Sequence, residues 1–320
     1  MLLQKEFPHA IFHELPAYNI YYQKWGSFII KLTFQLRKIL GGIMREKKAT
    51  AAIIEQYDPV MLISDNRYGV RSKRVHTVFI THQMIIKIPG AALIEWVVWQ
   101  WLNFQHRRFH SIWIPDAEGT PNLSGELSHK YPTLPNARFI GLLNRFEVPE
   151  PLPEVSNDIL CILSGPEPQR SIFEQKILQQ AAATGRKFIL VQGISEDKSD
   201  QWISDHIRLV AHADARQLMD FILQSKVVIS RGGYTTLMDL AGLGKQCIFV
   251  PTPGQTEQEY LVQELAQQKM CVYADQKSFD LKGALEELKT VRPFYLPISH
   301  NTFRNQLETE LQKALQRKML

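Results

Sequence analysis

Cysteine is scarce in this 320-residue chain: there are three, Cys161, Cys247 and Cys271, each inside an apolar run and none in a CxxC or Cys/His spacing. That excludes a disulfide scaffold and a cysteine-held zinc site, and fits buried thiols in a reducing compartment. Long apolar runs are missing too; none approaches the roughly 20 residues that a spanning helix needs. Met1-Leu2-Leu3 is followed at once by Gln4, Lys5 and Glu6, which is no secretory leader, so a cytoplasmic setting is expected. The common nucleotide and hydrolase signatures are absent. Gly244-Lys245 runs into Gln246 instead of a P-loop Ser or Thr, and there is no GxGxxG, HExxH or GxSxG. No Asp-x-Asp pair stands ready to hold a divalent cation against a diphosphate. Neither a metal nor a cofactor is therefore expected, and a nucleoside diphosphate would have to rely on protein donors.

What is present is unevenly placed. The formal charge is +5, yet residues 1–150 carry 18 Lys and Arg against 12 Asp and Glu, and the remainder carries 19 against 20. All of the basic excess belongs to the first half, which a uniformly solvated surface does not predict.

Residues 1–7 read as the end of a helix and Ala10–Leu15 as a strand before the Pro16 turn. Phe28–Lys48 has helical apolar spacing (Ile29, Leu32, Leu36, Ile39, Leu40, Ile43) among Lys31, Arg37, Lys38, Arg45, Lys47 and Lys48. Two readings are open for it: an amphipathic helix packed on its own domain, or a basic helix meeting anionic headgroups. Val60–Ser64 is a buried strand ending in Asp65, and His76–Thr81 a second ending in His82; polar residues just past parallel strands are site candidates. A cap for Asp65 and a loop hydrogen bond for His82 are the plainer alternatives. Leu93–Trp113 holds Trp96, Trp99, Trp101 and Trp113 beside Arg107 and Arg108, a composition that suits a core helix or a membrane interface and argues against nucleic acid. Glu147–Val155 is proline-rich and acidic, and the spacing predicts a linker there, with domains over 1–149 and 150–320.

Beyond the linker the period is regular. Strands are predicted at Ile159–Leu163, Lys187–Val191, Ile207–Ala211, Val227–Ser230, Cys247–Pro251 and Cys271–Tyr273. Helices are predicted between them at Ser171–Ala183, Ala215–Gln224, Thr235–Leu243, Glu257–Gln267 and Leu281–Lys289, with a closing helix over Thr302–Lys318. That alternation indicates an α/β fold with a doubly wound parallel sheet. Val227–Ser230 stops at Arg231-Gly232-Gly233, where paired glycines permit a tight turn and leave amides unshielded at the start of a helix, a ready site for an anion.

Ser230-Arg231-Gly232-Gly233, with Thr235-Thr236, Asp239-Leu240-Ala241, Gly244 and Phe249-Val250-Pro251, resembles glycosyltransferase family 28 over roughly 158–275, and much more loosely before that. The resemblance implies the GT-B architecture: two Rossmann-like domains with parallel sheets facing a central cleft, the sugar nucleotide held by the second. It also implies an inverting, metal-independent reaction. Carried over, Arg231, Gly232, Gly233 and Thr235 form the glycine-rich loop and helix start, and Asp239, one turn beyond Thr235, takes the ribose hydroxyls. Gln258 and Glu259 stand where the family has paired glutamines on the donor sugar, and Val262 replaces an asparagine, which puts the sugar's identity in doubt. Ser164, Gly165 and Arg170 belong to the loop after the domain's first strand, Arg170 as a charge near the diphosphate or as a solvated helix-start arginine. The base is expected against the backbone near Ala213–Ala215. The family's opening strand and His-bearing glycine turn have no counterpart at the front, where a truncated start is the expectation.

The function expected is transfer of a sugar from a UDP-sugar substrate to an acceptor hydroxyl with inversion, using Asp65 or His82 as base. The basic, tryptophan-bearing first half points to a lipid-linked acceptor and to peripheral contact with an anionic membrane. A nucleotide-sugar-binding protein without catalysis is the competitor from another class, and a sugar-nucleotide epimerase a third.

Overall fold

The structure, a computed structural model, describes residues 4, 7–16, 28–88, 90–146, 150–151, 153–194 and 199–319, with the side chains of 28–37 and 300 outside the description. The expected helix end over residues 1–7 lies largely outside these residues, as do 147–149 and 152 of the expected linker. The chain forms two compact units: 1–115 with 130–140 and 301–320, and 116–129 with 141–300. They do not follow a single cut near 150.

The first unit holds α1 (Phe28–Tyr57), β1 (Met61–Asp65), β2 (His76–Ile80), α2 (Ala92–His106), β3 (Ser111–Ile114), β4 (Ala137–Phe139) and α9 (His300–Met319). Its four strands pair in parallel in sequence order. Ala10–Leu15 is not a strand; the residues after Ala10 are irregular. The helix expected to end at Lys48 continues to Tyr57, because Ala49–Tyr57 lacks a breaker until Pro59. Glu46 of α1 is fully buried, pairs with Arg67 and accepts the Gly69 amide at 3.0 Å, which ties the loop after β1 to the helix. A Cβ on Gly69 would lie 2.6 Å from the Ile43 carbonyl oxygen, so this close approach requires glycine. β3 and β4 were not predicted. Trp113, grouped by the sequence with a core or interfacial helix, lies fully buried in β3, with its ring 5.8 Å from that of Phe303 on α9. His76 at the start of β2 meets Glu310 of the same helix at 2.6 Å.

The second unit begins with α3 (Glu126–His129) and continues through β5 (Asn157–Ile162), α4 (Gln169–Ala181), β6 (Phe188–Val191), β7 (Asp200–Ser204), β8 (Ile207–Val210), α5 (Ala215–Leu223) and β9 (Ser225–Ser230). It is completed by α6 (Tyr234–Ala241), β10 (Gln246–Phe249), α7 (Thr256–Gln267), β11 (Val272–Tyr273) and α8 (Leu281–Glu287). The sheet order is β11-β10-β9-β5-β6-β8-β7, parallel except for β7, which runs antiparallel to β8 at one edge. The six predicted strands are all present; β7 was missed because it is an exposed edge strand without apolar alternation. Ile159, Cys161, Phe188, Leu190, Ile229 and Ile248 form a core on one face with Phe173 and Ile177 of α4 and Leu281 and Ala284 of α8, and the alternate residues Leu160, Ile189 and Val228 are buried too, which explains why these strands are nearly continuous apolar runs. From β5 the chain moves to β6 on one side, and later returns to lay β9, β10 and β11 on the other. The carboxyl ends of β5 and β9 therefore mark the switch point where doubly wound sheets bind ligands.

Candidate active site

A cavity of about 170 Å³ opens at that switch point. Ile162 and Ser230, register partners on β5 and β9, floor it together with Ser164. Thr236 and Asp239 of α6 and Leu218 of α5 are among its walls. Asp239 is 5% exposed and lies in this lining. Burial pushes its carboxyl up, partly offset by Arg145.

Thr235 does not share that position. It is exposed, and the α6 hydroxyl that faces the cavity with Asp239 belongs to Thr236, three residues before it. Gly233 caps α6 with φ −70° and offers its first turn no side-chain acceptor, so the helix start is open to an anion. Neither paired glycine has a positive φ, which corrects the tight-turn expectation. Gly232 is required by proximity instead: a Cβ there would lie 2.2 Å from Val262 Cγ2 on α7. A positive φ occurs at Gly165, at +99°, where an added Cβ would lie 3.4 Å from the Thr252 hydroxyl. The loops after β5 and β10 thus meet at the carboxyl edge of the sheet. Thr252 Oγ is buried there without a partner.

Arg231 is corrected more sharply. Its side chain turns inward, 1% exposed, and donates to the carbonyl oxygens of Val250 at 3.0 Å and Gln169 at 3.0 Å. Its guanidinium carbon lies 4.6 Å from the centroid of the Phe173 ring. Burial lowers its pKa to about 10, so the group is still cationic at neutral pH. Arg231 is a post beneath the site that fastens the loop after β10 and the start of α4 to the loop after β9. Arg170 is not a spare cation either. Its guanidinium is held by Glu167 at 2.7 Å and Glu174 at 2.8 Å, which cancels its charge locally.

Gln258 accepts from the Thr252 amide at 2.9 Å and donates to Gln255 at 2.6 Å; Glu259 accepts from the Gly254 amide at 3.1 Å. Both brace the loop after β10 from the first turn of α7. Ala215 opens α5, and the helix is capped by the Asp214 carboxylate on the Gln217 amide at 2.8 Å; Ala215 is not part of the cavity lining. In the first unit Asp65 ends β1 exposed, opposite Ile80, and half-buried His82 follows two residues later, so the two base candidates share one sheet edge.

Sequence reasoning missed the segment 116–129. Asp116 is fully buried and accepts the amides of Leu123 at 2.9 Å and Ser124 at 2.8 Å, with His129 at 3.4 Å from the same carboxylate. The Tyr260 hydroxyl accepts the Glu126 amide at 2.7 Å, and the Tyr234 phenol bonds to Ser124. These bonds seat the segment on α6 and α7. It missed Arg145 as well, whose Nε lies 2.9 Å from Asp239 Oδ2. No local pattern marks either, because each partner lies about a hundred residues away along the chain.

Residues 161–314 match the glycosyltransferase family 28 C-terminal domain. No curated protein matches the chain in sequence. Among solved structures it is similar to the glycotransferase of kitacinnamycin, at 14% identity and TM-score 0.54, over 89% of this chain and 79% of that one. CalG4, the calicheamicin glycosyltransferase, aligns at 8% identity and TM-score 0.54, over 92% and 79%. Acinetobacter baumannii MurG aligns at 10% identity and TM-score 0.51, over 97% and 82%. At these identities the likeness establishes the fold alone. With that domain resting on the sheet and loops described above, residues 161–314 are a glycosyltransferase family 28 C-terminal domain, in a glycosyltransferase of α/β, GT-B fold.

Proposed function

We propose that the chain transfers a sugar from a UDP-sugar to an acceptor hydroxyl with inversion and without a metal ion. The observation that carries this reading is the switch-point cavity, in which a buried carboxylate, Asp239, stands beside three hydroxyls, Ser164, Ser230 and Thr236. That set suits the vicinal diol of a ribose, with Asp239 as acceptor. The diphosphate would lie on the main-chain amides of Gly165, Gly232 and Gly233 and on the uncapped start of α6, where the helix dipole favours developing negative charge. The acceptor oxygen loses its proton to Asp65 or His82 as it attacks the anomeric carbon; the bond to the diphosphate oxygen breaks and UDP departs. Gln258 and Glu259 shape the sugar pocket by bracing its loop.

Isothermal calorimetry with a panel of nucleoside diphosphates, followed by UDP-sugar turnover assays, tests the reading. Selective uridine diphosphate binding with turnover is expected. Binding without turnover would favour the non-catalytic alternative, and preference for another base would overturn the donor.

The acceptor is proposed to be lipid-linked. On α2, Leu93 and Val97 are 75% and 54% exposed, and Trp96 and Phe104 extend the same face. Lys87, Arg107 and Arg108 flank it, with Arg108 4.2 Å over the Phe104 ring. An apolar helix face rimmed by cations fits an anionic lipid surface. Among the described residues no helix is long and apolar enough to cross a membrane. Flotation with phosphatidylglycerol vesicles at low salt should carry the protein upward, and Leu93→Asp with Trp96→Asp should abolish this; failure of the native chain to float removes the membrane contact.

A further inference from the structure

The cavity contains one ion pair, Arg145 with Asp239, whose cation has no part in the reading above. Among the residues that line it, Arg145 and Asp239 alone are charged; Ser164 from the loop after β5, Ser230 of β9 and Thr236 of α6 are neutral. Arg145 meets Asp239 through both its side chain and its main-chain N–H, the Nε at 2.9 Å from Oδ2. The segment is fastened there: Asn144 Nδ2 donates to the Asp239 carbonyl oxygen at 3.4 Å, and Asn144 Oδ1 accepts the Phe146 amide at 2.6 Å. The Arg145 guanidinium also lies 5.0 Å over the Phe146 ring. Its side chain is 52% exposed while that of Asp239 is 6% exposed, so the cation sits at the rim and the carboxylate inside.

A buried carboxyl without a cation protonates and becomes a poor acceptor for a hydroxyl. The other arginines of the site do not serve, since Arg231 is turned beneath the loops and Arg170 is held by two glutamates. A carboxylate has more acceptor positions than one Nε–H and one amide occupy, so Asp239 can keep Arg145 and still receive a diol.

We propose that Arg145 is a positioning residue of the donor site, the counter-ion that holds Asp239 charged and aimed at the ribose hydroxyls of a nucleoside diphosphate. This rests on the donor reading above. It assigns a part of nucleotide recognition to a residue that precedes the family domain in sequence.

The test is calorimetry of the full chain and of Arg145→Gln with uridine diphosphate and 2′-deoxyuridine diphosphate, from about pH 6 to about pH 8. In Arg145→Gln, uridine diphosphate binding should weaken about tenfold at the acid end and recover as the pH rises, because Asp239 then ionises only at higher pH. The deoxy analogue should be nearly indifferent to the substitution, and Arg145→Lys should restore most of the loss. Arg145 is half exposed, so Gln is expected to fold; should it not, Arg145→Lys against Asp239→Asn makes the same comparison. Equal weakening of both nucleotides at every pH would mean a merely structural role and overturn the proposal. So would native affinity in Arg145→Gln across the range. If the native chain binds no nucleoside diphosphate at all, the donor reading itself falls and this inference with it; binding that ignores Arg145 removes the inference alone.

Discussion

The carboxyl edges of the two sheets are finished in opposite ways. Around the seven-stranded sheet each charged side chain near the site is engaged: Arg231 by carbonyl oxygens below the loops, Arg170 by Glu167 and Glu174, Asp239 by Arg145. In the four-stranded unit Asp65 ends its strand in solvent, and α2 leaves Leu93, Trp96, Val97 and Phe104 exposed. A rim whose charges are already fixed suits one polar ligand of constant shape, because little reorganisation remains when it binds. An apolar face beside cations suits a partner that deforms.

Four measurements break or sharpen that contrast. The largest effect is expected at Arg231. Replacing it with Met leaves the Val250, Pro251 and Gln169 carbonyls without their buried donor, and should cost about 3 kcal/mol in urea unfolding of the full chain. A loss below about 1 kcal/mol would show that the loops of the second unit do not depend on their post. Next is Gly232→Ala, whose methyl would press on Val262; thermal melting should show about 1–3 kcal/mol of destabilisation, relieved by Val262→Ala in the same chain. Asp239→Asn should weaken uridine diphosphate about tenfold by calorimetry. Unchanged affinity would place the ribose elsewhere.

The smallest effect is a pH dependence in the first unit. Burial works to raise the Glu310 pKa, but hydrogen bonds from Lys313 and His76 outweigh it and hold the carboxyl below its ordinary value. A depressed carboxyl stabilises the fold above its unfolded pKa and loses that contribution as pH falls through the folded one. The first unit should therefore lose stability as the pH drops below the ordinary glutamate range, and Glu310→Gln should flatten that slope in acid titrations followed by tryptophan fluorescence.

Much of the second unit was legible because its strands are covered on both faces. Phe188–Val191 and Val227–Ser230 announce themselves as apolar runs between helical periods. Ser111–Ile114 and Ala137–Phe139 escaped notice because strands of four and three residues carry too little pattern, and Trp113 was grouped with the helix that precedes its strand. At the site, Asp239 was singled out by the resemblance to the family motif, and it lies in the cavity lining. The orientation of Arg231 was not, since an arginine beside two glycines reads the same whether it faces an anion or the core. Thr235 and Thr236 were likewise separable only by the actual phase of α6.

The exchange of segments between the units has a practical edge for anyone wishing to dissect the enzyme. Asp116–His129 lies between β3 and β4 in sequence, yet its bonds are to Tyr234 and Tyr260, and α9 follows the seven-stranded sheet while packing with Trp113. A gene cut at residue 150 would strip the second unit of residues 116–129 and leave the other fragment without its last helix, so chimaeras and isolated halves should be spliced at four junctions.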